Sequence, residues 1–223
     1  MKSVNKILFI VVLTLSLIAC KKEDTPDTRP KDIDGNVYDT IIIGTQVWMM
    51  QNLNTTRYND GGLIGTGLSN TFWGTTTTGA YTDYDGDAAN SVIYGKLYNW
   101  NAVNTGKLAP KGWHVPTDPE WMTLITYLGG TLEAGQAMKA DKLWDPSFGI
   151  MNANSSGFSG LPAGYRLETG TYSGLHTLTY FWSSSEYDAD FAWSSYLVYD
   201  FKTANHTRYL GKRNGFSVRC IRD

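Results

Sequence analysis

Two acidic runs and the aromatic residues beside them hold the side chains best placed to do chemistry. Asp83, Asp85 and Asp87 alternate with Tyr84 and Gly86. Alternating carboxylates beside a glycine suit Ca²⁺, which takes several hard oxygen ligands. The run lacks the sixth-position glycine and distal glutamate of an EF-hand, and an acidic turn is the competing reading. Glu186, Asp188 and Asp190 follow Trp182, with Tyr187 among them. Carboxylates accept hydrogen bonds from sugar hydroxyls, and flat rings stack on pyranose faces. Trp182, Glu186, Tyr187, Asp188 and Asp190 are therefore the candidate ligand-binding residues, set against the alternative of an exposed polar loop. Apart from Ca²⁺, no cofactor is suggested.

Other chemistry finds no support in the residue spacing. The three histidines, His114, His176 and His206, form no His-Glu-x-x-His helix and no zinc-ligand spacing. No Gly-x-Ser-x-Gly elbow and no glycine-rich phosphate loop occur. A glycosidase would need two carboxylates facing each other, about 5 to 9.5 Å apart, and no pair stands out. No catalytic residue is assigned, and the chain is read as not an enzyme. Phe216, Val218 and Cys220 alternate as on one face of a strand, so Cys220 is expected to be a small buried hydrophobe.

The elements that must carry these residues begin behind an export signal. Lys2 and Lys6 precede an apolar run over residues 7–18, too short for a ~30 Å hydrocarbon core that needs about 20 residues. Leu17-Ile18-Ala19-Cys20 resembles the lipobox of bacterial lipoproteins, which implies lipidation at Cys20 after removal of residues 1–19. Lys21-Lys22-Glu23-Asp24 resembles the surface-export signal of Bacteroidetes lipoproteins. Residues 20–31 are charged and proline-containing, a solvated tether. Residues 32–223 are expected to form one globular domain. With Cys20 lipidated, Cys220 has no partner for a disulfide.

The full chain has 19 basic and 21 acidic residues. Residues 1–19 contain Lys2 and Lys6 and no acid, so the remainder carries a net charge of −4. That balance gives no reason to expect nucleic acid as a partner. Residues 37–43 and 47–50 read as a hairpin. Residues 59–91, rich in Gly, Thr, Asn and Asp, read as a long ordered loop. Residues 95–103 fit a short helix or a strand. Thr117 and Glu120 have capping-box spacing ahead of an apolar stripe at Trp121, Leu124, Ile125 and Leu128, and Gly129-Gly130 stops that helix. A second helix is expected over 132–140. Strands are expected near 180–183, 193–199, 207–210 and 215–221. Early strands, central helices and late strands predict an α+β domain with a mainly antiparallel sheet, about two helices and long ordered loops.

A series of segments then resembles one family. They include Asp34-Gly35-Asn36-Val37-Tyr38, Ile43-Gly44-Thr45-Gln46-Val47-Trp48-Met49, Tyr94-Gly95-Lys96-Leu97-Tyr98-Asn99-Trp100 and Gly112-Trp113-His114-Val115-Pro116-Thr117. Gly157-Phe158-Ser159-Gly160-Leu161-Pro162-Ala163-Gly164-Tyr165-Arg166, Phe181-Trp182-Ser183-Ser184 and Ser217-Val218-Arg219-Cys220 follow in order. Together they are similar to the Fibrobacter succinogenes major paralogous domain of Bacteroidetes lipoproteins. That resemblance implies a C-type-lectin-like fold and carries over no catalytic residues. The Glu-Pro-Asn motif by which calcium lectins hold sugar is absent. The expected role is a lipid-anchored protein of the outer membrane, surface-exposed, that binds or adheres and takes a glycan or an envelope protein as ligand. The alternatives are a structural or assembly lipoprotein of the envelope and, behind it, a polysaccharide-acting enzyme.

Overall fold

A computed structural model describes residues 27–146 and 153–223. The expected signal segment, Cys20 and the first part of the tether lie outside the described residues. The chain runs β1 (Thr40–Ile43), β2 (Gln46–Met49), α1 (Asn70–Thr75), β3 (Tyr81–Thr82), a 3₁₀ turn at Tyr84–Gly86, α2 (Ala88–Tyr94), β4 (Leu97–Tyr98) and α3 (Trp100–Val103). It continues through β5 (Trp113–His114), α4 (Asp118–Tyr127), α5 (Ala134–Met138), β6 (Ala163–Arg166), β7 (Tyr172–Leu175), β8 (Leu178–Glu186), β9 (Phe191–Val198), β10 (Ala204–Gly211) and β11 (Ile221–Arg222).

The fold is α+β. A five-stranded sheet runs β10-β9-β8-β6-β7, a four-stranded sheet β1-β2-β11-β5, and β3 pairs with β4. Every pairing between these strands is antiparallel except β6 with β8. The β1–β2 hairpin turns at Gly44, whose φ of 61° suits glycine, and its open side lies against the Tyr127 ring, where a Cβ would approach to 3.0 Å.

The described residues hold five short helices, not two. The α4 and α5 segments are those expected, and the capping box is present: the Glu120 carboxylate accepts from the Thr117 N–H and hydroxyl. The three others interrupt or follow the segment read as loop. Their N-caps are Ser69, Asp87 and Asn99, each accepting a backbone N–H from the first turn. Residues that signal turns also cap helices, and a helix of four to seven residues leaves no apolar stripe long enough to read. Residues 95–103 resolve as both alternatives in sequence, with β4 followed at once by α3.

The 215–221 segment departs from its expected strand. Only Ile221 and Arg222 form one; Gly215, Phe216 and Ser217 each bridge a different partner, Arg166, Tyr98 and Phe181. The segment is a buried wedge between sheets, so its alternation reflects burial without a continuous ladder. Cys220 is buried and free there, as expected of a small hydrophobe, and burial pushes its thiol up to about 12.

Two apolar clusters make the core. One gathers Tyr98, Trp100, Trp182, Phe216 and Val218, the other Trp48, Trp121, Phe158, Phe181 and Leu197. Five of the eight tryptophans (Trp48, Trp73, Trp100, Trp121 and Trp182) are almost wholly buried, so most of the aromatic surplus serves packing. Burial of each large side chain contributes about 1.5–3 kcal/mol. Two cations are buried with them. Lys139 donates to the carbonyls of Val198, Tyr199 and Phe201, and burial lowers its pKa to about 8. Arg219 is held by carbonyl and amide oxygens.

Candidate functional site

The structure does not bring Asp83, Asp85 and Asp87 into one site. The Asp83 carboxylate accepts from the Ser91 hydroxyl and from Lys96 Nζ at 2.8 Å. Burial opposes its ionisation, but these two donors outweigh that and hold its pKa below the usual value. Asp87 caps α2 through the Ala89 N–H, 2.9 Å away. Asp85 takes a left-handed φ of 57° in the 3₁₀ turn. Asp83 and Asp87 each have a local structural role, and among the described residues no group of three His, Cys, Asp or Glu is arranged to hold a metal.

The second candidate set divides. Trp182 is corrected to a core residue: its ring packs 4.2 Å from that of Phe216, its Nε1 donates to the Tyr98 carbonyl at 2.7 Å, and no face is open to a ligand. Glu186, Tyr187, Asp188 and Asp190 sit together at the β8–β9 turn, all exposed. Lys212 ties this turn to the segment after β10. Its Nζ lies 2.5 Å from Glu186 Oε1 and also donates to the carbonyls of Asp188 and Ala189. Asp188 Oδ1 accepts the N–H groups of Asp190 and Phe191, which shapes the turn. Asp190 is left with its carboxylate unengaged by any described residue.

Asp190 lines a cleft of about 540 Å³. Its walls are the loop after α1 (Thr76, Thr77), the β6–β7 turn, the β8–β9 turn and the end of β10 through Asn214. Each wall has a positional cause. Arg166, buried under the β6–β7 turn, donates from Nε to the Gly170 carbonyl at 3.1 Å and from Nη2 to Leu68 O and Asn70 Oδ1. Its guanidinium also lies 4.4 Å from the Trp73 ring centroid, which locks the turn to α1. Gly74 allows the closest approach, because a Cβ there would stand 2.5 Å from the Glu168 carbonyl oxygen. Asn214 Oδ1 accepts the Glu168 N–H at 3.1 Å and fixes the floor.

The groups around the opening are largely free. The side chains of Glu168, Asp190 and Arg213 make no hydrogen bond or ion pair with a described residue, and the Tyr209 ring stands 70 % exposed at the rim. Beside it, Arg208 lies among three rings, 4.7 Å from the centroid of Tyr187, 5.7 Å from Trp193 and 5.3 Å from Tyr209. Trp193 is also stacked by His206, at 5.2 Å and 13°. A second cleft of about 530 Å³ is lined by amides, but their polar atoms are mostly used. Asn52 holds Arg219, Asn36 holds Asp32, Gln51 holds Asp39 and Asn154 holds Ser159.

Of the residues the sequence singled out, only Asp190 lines the free cleft, with Glu186, Tyr187 and Asp188 in the same turn; Glu168, Tyr209, Arg213 and Asn214 of the lining, and Arg208 beside it, were missed. These residues come from two turns and a bulged edge strand, where β10 breaks register between Thr207 and Leu210, and no spacing within the chain links them.

No curated protein and no solved structure matches this chain. A family model does, over residues 41–222, which takes in all five helices, the cleft and every strand but the first residue of β1. The chain belongs to the family of the Fibrobacter succinogenes major domain.

Proposed function

We propose that this protein is a lipid-anchored lipoprotein of the bacterial outer membrane, displayed at the cell surface, whose domain binds glycans in the cleft between the β6–β7 and β8–β9 turns. The observation that carries the proposal is the free hydrogen-bonding capacity there: Glu168, Asp190 and Arg213 face an open cleft with an exposed tyrosine ring on its rim. Sugar sites combine a few convergent polar groups with a flat apolar ring. The C-type-lectin-like fold belongs to the same proposal. So does the Cys20 anchor, which rests on the lipobox resemblance; acyl chains contribute about 0.8 kcal/mol per buried CH₂. Neither calcium nor catalysis is part of it.

Three measurements test the reading. Metabolic labelling with a fatty acid should mark the wild-type chain and not Cys20→Ser, and protease added to intact cells should remove the domain. Glycan-array binding should be lost in Glu168→Gln and Asp190→Asn with unchanged thermal unfolding. Array silence across host and plant polysaccharides would defeat the sugar reading. The competing role, an assembly lipoprotein of the envelope, draws on the burial of five tryptophans, which leaves most rings no part in binding. Stable copurification with an outer-membrane complex, together with array silence, would favour that role.

A further inference from the structure

We infer that Arg208 is an anion subsite on the rim of the cleft, and that the glycan taken there carries an acidic substituent, a carboxylate or a sulfate. The inference rests on the glycan-binding reading and narrows it to acidic saccharides.

Arg208 forms no ion pair with any described carboxylate. Glu186, in the adjacent β8–β9 turn, pairs instead with Lys212 at 2.5 Å. Asp188 is used in shaping the β8–β9 turn. The single hydrogen bond the guanidinium makes is a long one, from Nη2 to Tyr209 Oη at 3.3 Å, and its Nε is shielded from solvent with no partner. Guanidinium forks match carboxylate and sulfate oxygens with two parallel bonds, and here the two Nη groups are the ones left to make them.

The aromatic rings fix where that charge points. With Tyr187, Trp193 and Tyr209 around it, the guanidinium is held in place before any ligand arrives, so little rotamer freedom remains to be lost on binding. Tyr209 links the two parts of the site, since it touches Arg208 and also lines the cleft. The charges on the two sides differ. Within the cleft, Glu168 and Asp190 accept from hydroxyls and repel an anion; outside the Tyr209 ring, Arg208 attracts one. A sugar with its hydroxyls in the cleft and its acidic group at Arg208 satisfies both. A neutral sugar leaves Arg208 unused.

The test uses the full chain purified in detergent and four probes: oligogalacturonate, its carboxyl-reduced counterpart, a sulfated galactan oligosaccharide and poly-glutamate. Calorimetric titration should give at least tenfold tighter binding of oligogalacturonate or of the sulfated oligosaccharide than of the reduced one. The tighter of the two identifies the anion. Arg208→Gln should remove that preference while leaving affinity for the reduced sugar unchanged, and Arg208→Lys should restore only part of it. Glu168→Gln should weaken acidic and neutral sugars alike. Thermal unfolding confirms that each variant is folded, and the lysine variant carries the test if the glutamine variant is not. Equal affinity for acidic and reduced sugars overturns the anion subsite and leaves the glycan reading standing. Binding of poly-glutamate with no binding of any sugar overturns both.

Discussion

Arg219 and Asn52 lie 167 residues apart and meet in the core, where the guanidinium donates from Nε and Nη2 to the same Asn52 Oδ1 at 3.1 and 2.8 Å. Its Nη1 reaches the carbonyls of Met49, Met50 and Phe158 at 3.0, 2.8 and 2.6 Å. The planar group also sits 4.4 Å from the Phe158 ring centroid. Desolvation disfavours its charge and lowers its pKa to about 9, and the group is held by these oxygens without a carboxylate. One side chain thereby joins the wedge at 215–221 to the end of the β1–β2 hairpin and to the Phe158 loop. Arg219→Met takes the shared donor away from these oxygens and is expected to cost about 3–5 kcal/mol. Arg219→Lys keeps the charge but cannot make the fork, so it should recover less than half of that. Urea unfolding of the two variants checks both. A loss below 1 kcal/mol in the methionine variant would show that the oxygens find other donors.

His114 gives stability a pH dependence. Its Nδ1 lies 2.7 Å from Asp223 Oδ1 and its Nε2 3.0 Å from Glu120 Oε1. Partial burial opposes the charged imidazole, but the two carboxylates outweigh that and raise its pKa above 6.5. A raised histidine stabilises the fold fully below the unfolded value of 6.5, and the gain disappears as pH rises through the folded value. Glu120 has the opposite sign. Burial would raise its pKa, but bonds from Thr117 and His114 lower it below 4.5, so its contribution fades as pH falls through the folded value. The combined gain is greatest between pH 4.5 and 6.5. His114 is 36 % exposed, so screening holds the effect to under about 1 kcal/mol. His114→Gln should lower the urea midpoint more at pH 5.5 than at pH 8.5. An equal deficit at both would rule out a charged clasp.

Cys220 is expected to be chemically silent in the folded chain. Its thiol is buried, and burial holds it neutral until about pH 12, whereas thiol reagents need the thiolate. In a chain carrying Cys20→Ser it is the one thiol left. Its alkylation by iodoacetamide at pH 8 should follow global unfolding in urea. Cys220→Ser should destabilise by about 1–3 kcal/mol, because it places a hydroxyl in an apolar site, and Cys220→Ala should destabilise less. Ready labelling of the native chain would contradict the burial.

What the sequence revealed followed from periodicity and local signals. The β1–β2 hairpin, the capped α4 and the strands β8 and β9 each carry a pattern a few residues long that their own burial imposes. Trp182 was legible as a strand residue but not as a buried one, because an alternating strand does not say which face is covered. The short helices were hidden for the reason that Asp87 and Asn99 illustrate: a polar residue that caps a helix also reads as a turn. The cleft was hidden more deeply. Glu168, Asp190 and Tyr209 become neighbours only when two turns and the bulge of β10 meet, and each turn is held by contacts elsewhere, such as Arg166 on Asn70 or Lys212 on Glu186.

Gly74 separates the energetics of the cleft from those of the helix that carries it. A glycine inside a helix is ordinarily improved by alanine, which gains about 1 kcal/mol in propensity. Here the added Cβ would stand 2.5 Å from the Glu168 carbonyl oxygen, so α1 and the β6–β7 turn must part. Steric displacement of this kind costs about 1–3 kcal/mol, which exceeds the propensity gain. Gly74→Ala should therefore be destabilised overall, and the wall bearing Glu168 should move. The stability loss is shared with any clash, but the movement is particular to this site. Glycan affinity should fall at least threefold in Gly74→Ala. In Gly135→Ala, whose Cβ would meet the Thr203 carbonyl oxygen at 2.1 Å on α5, stability should fall and affinity should not. If both variants weaken binding equally at matched stability, the cleft is not where the glycan sits.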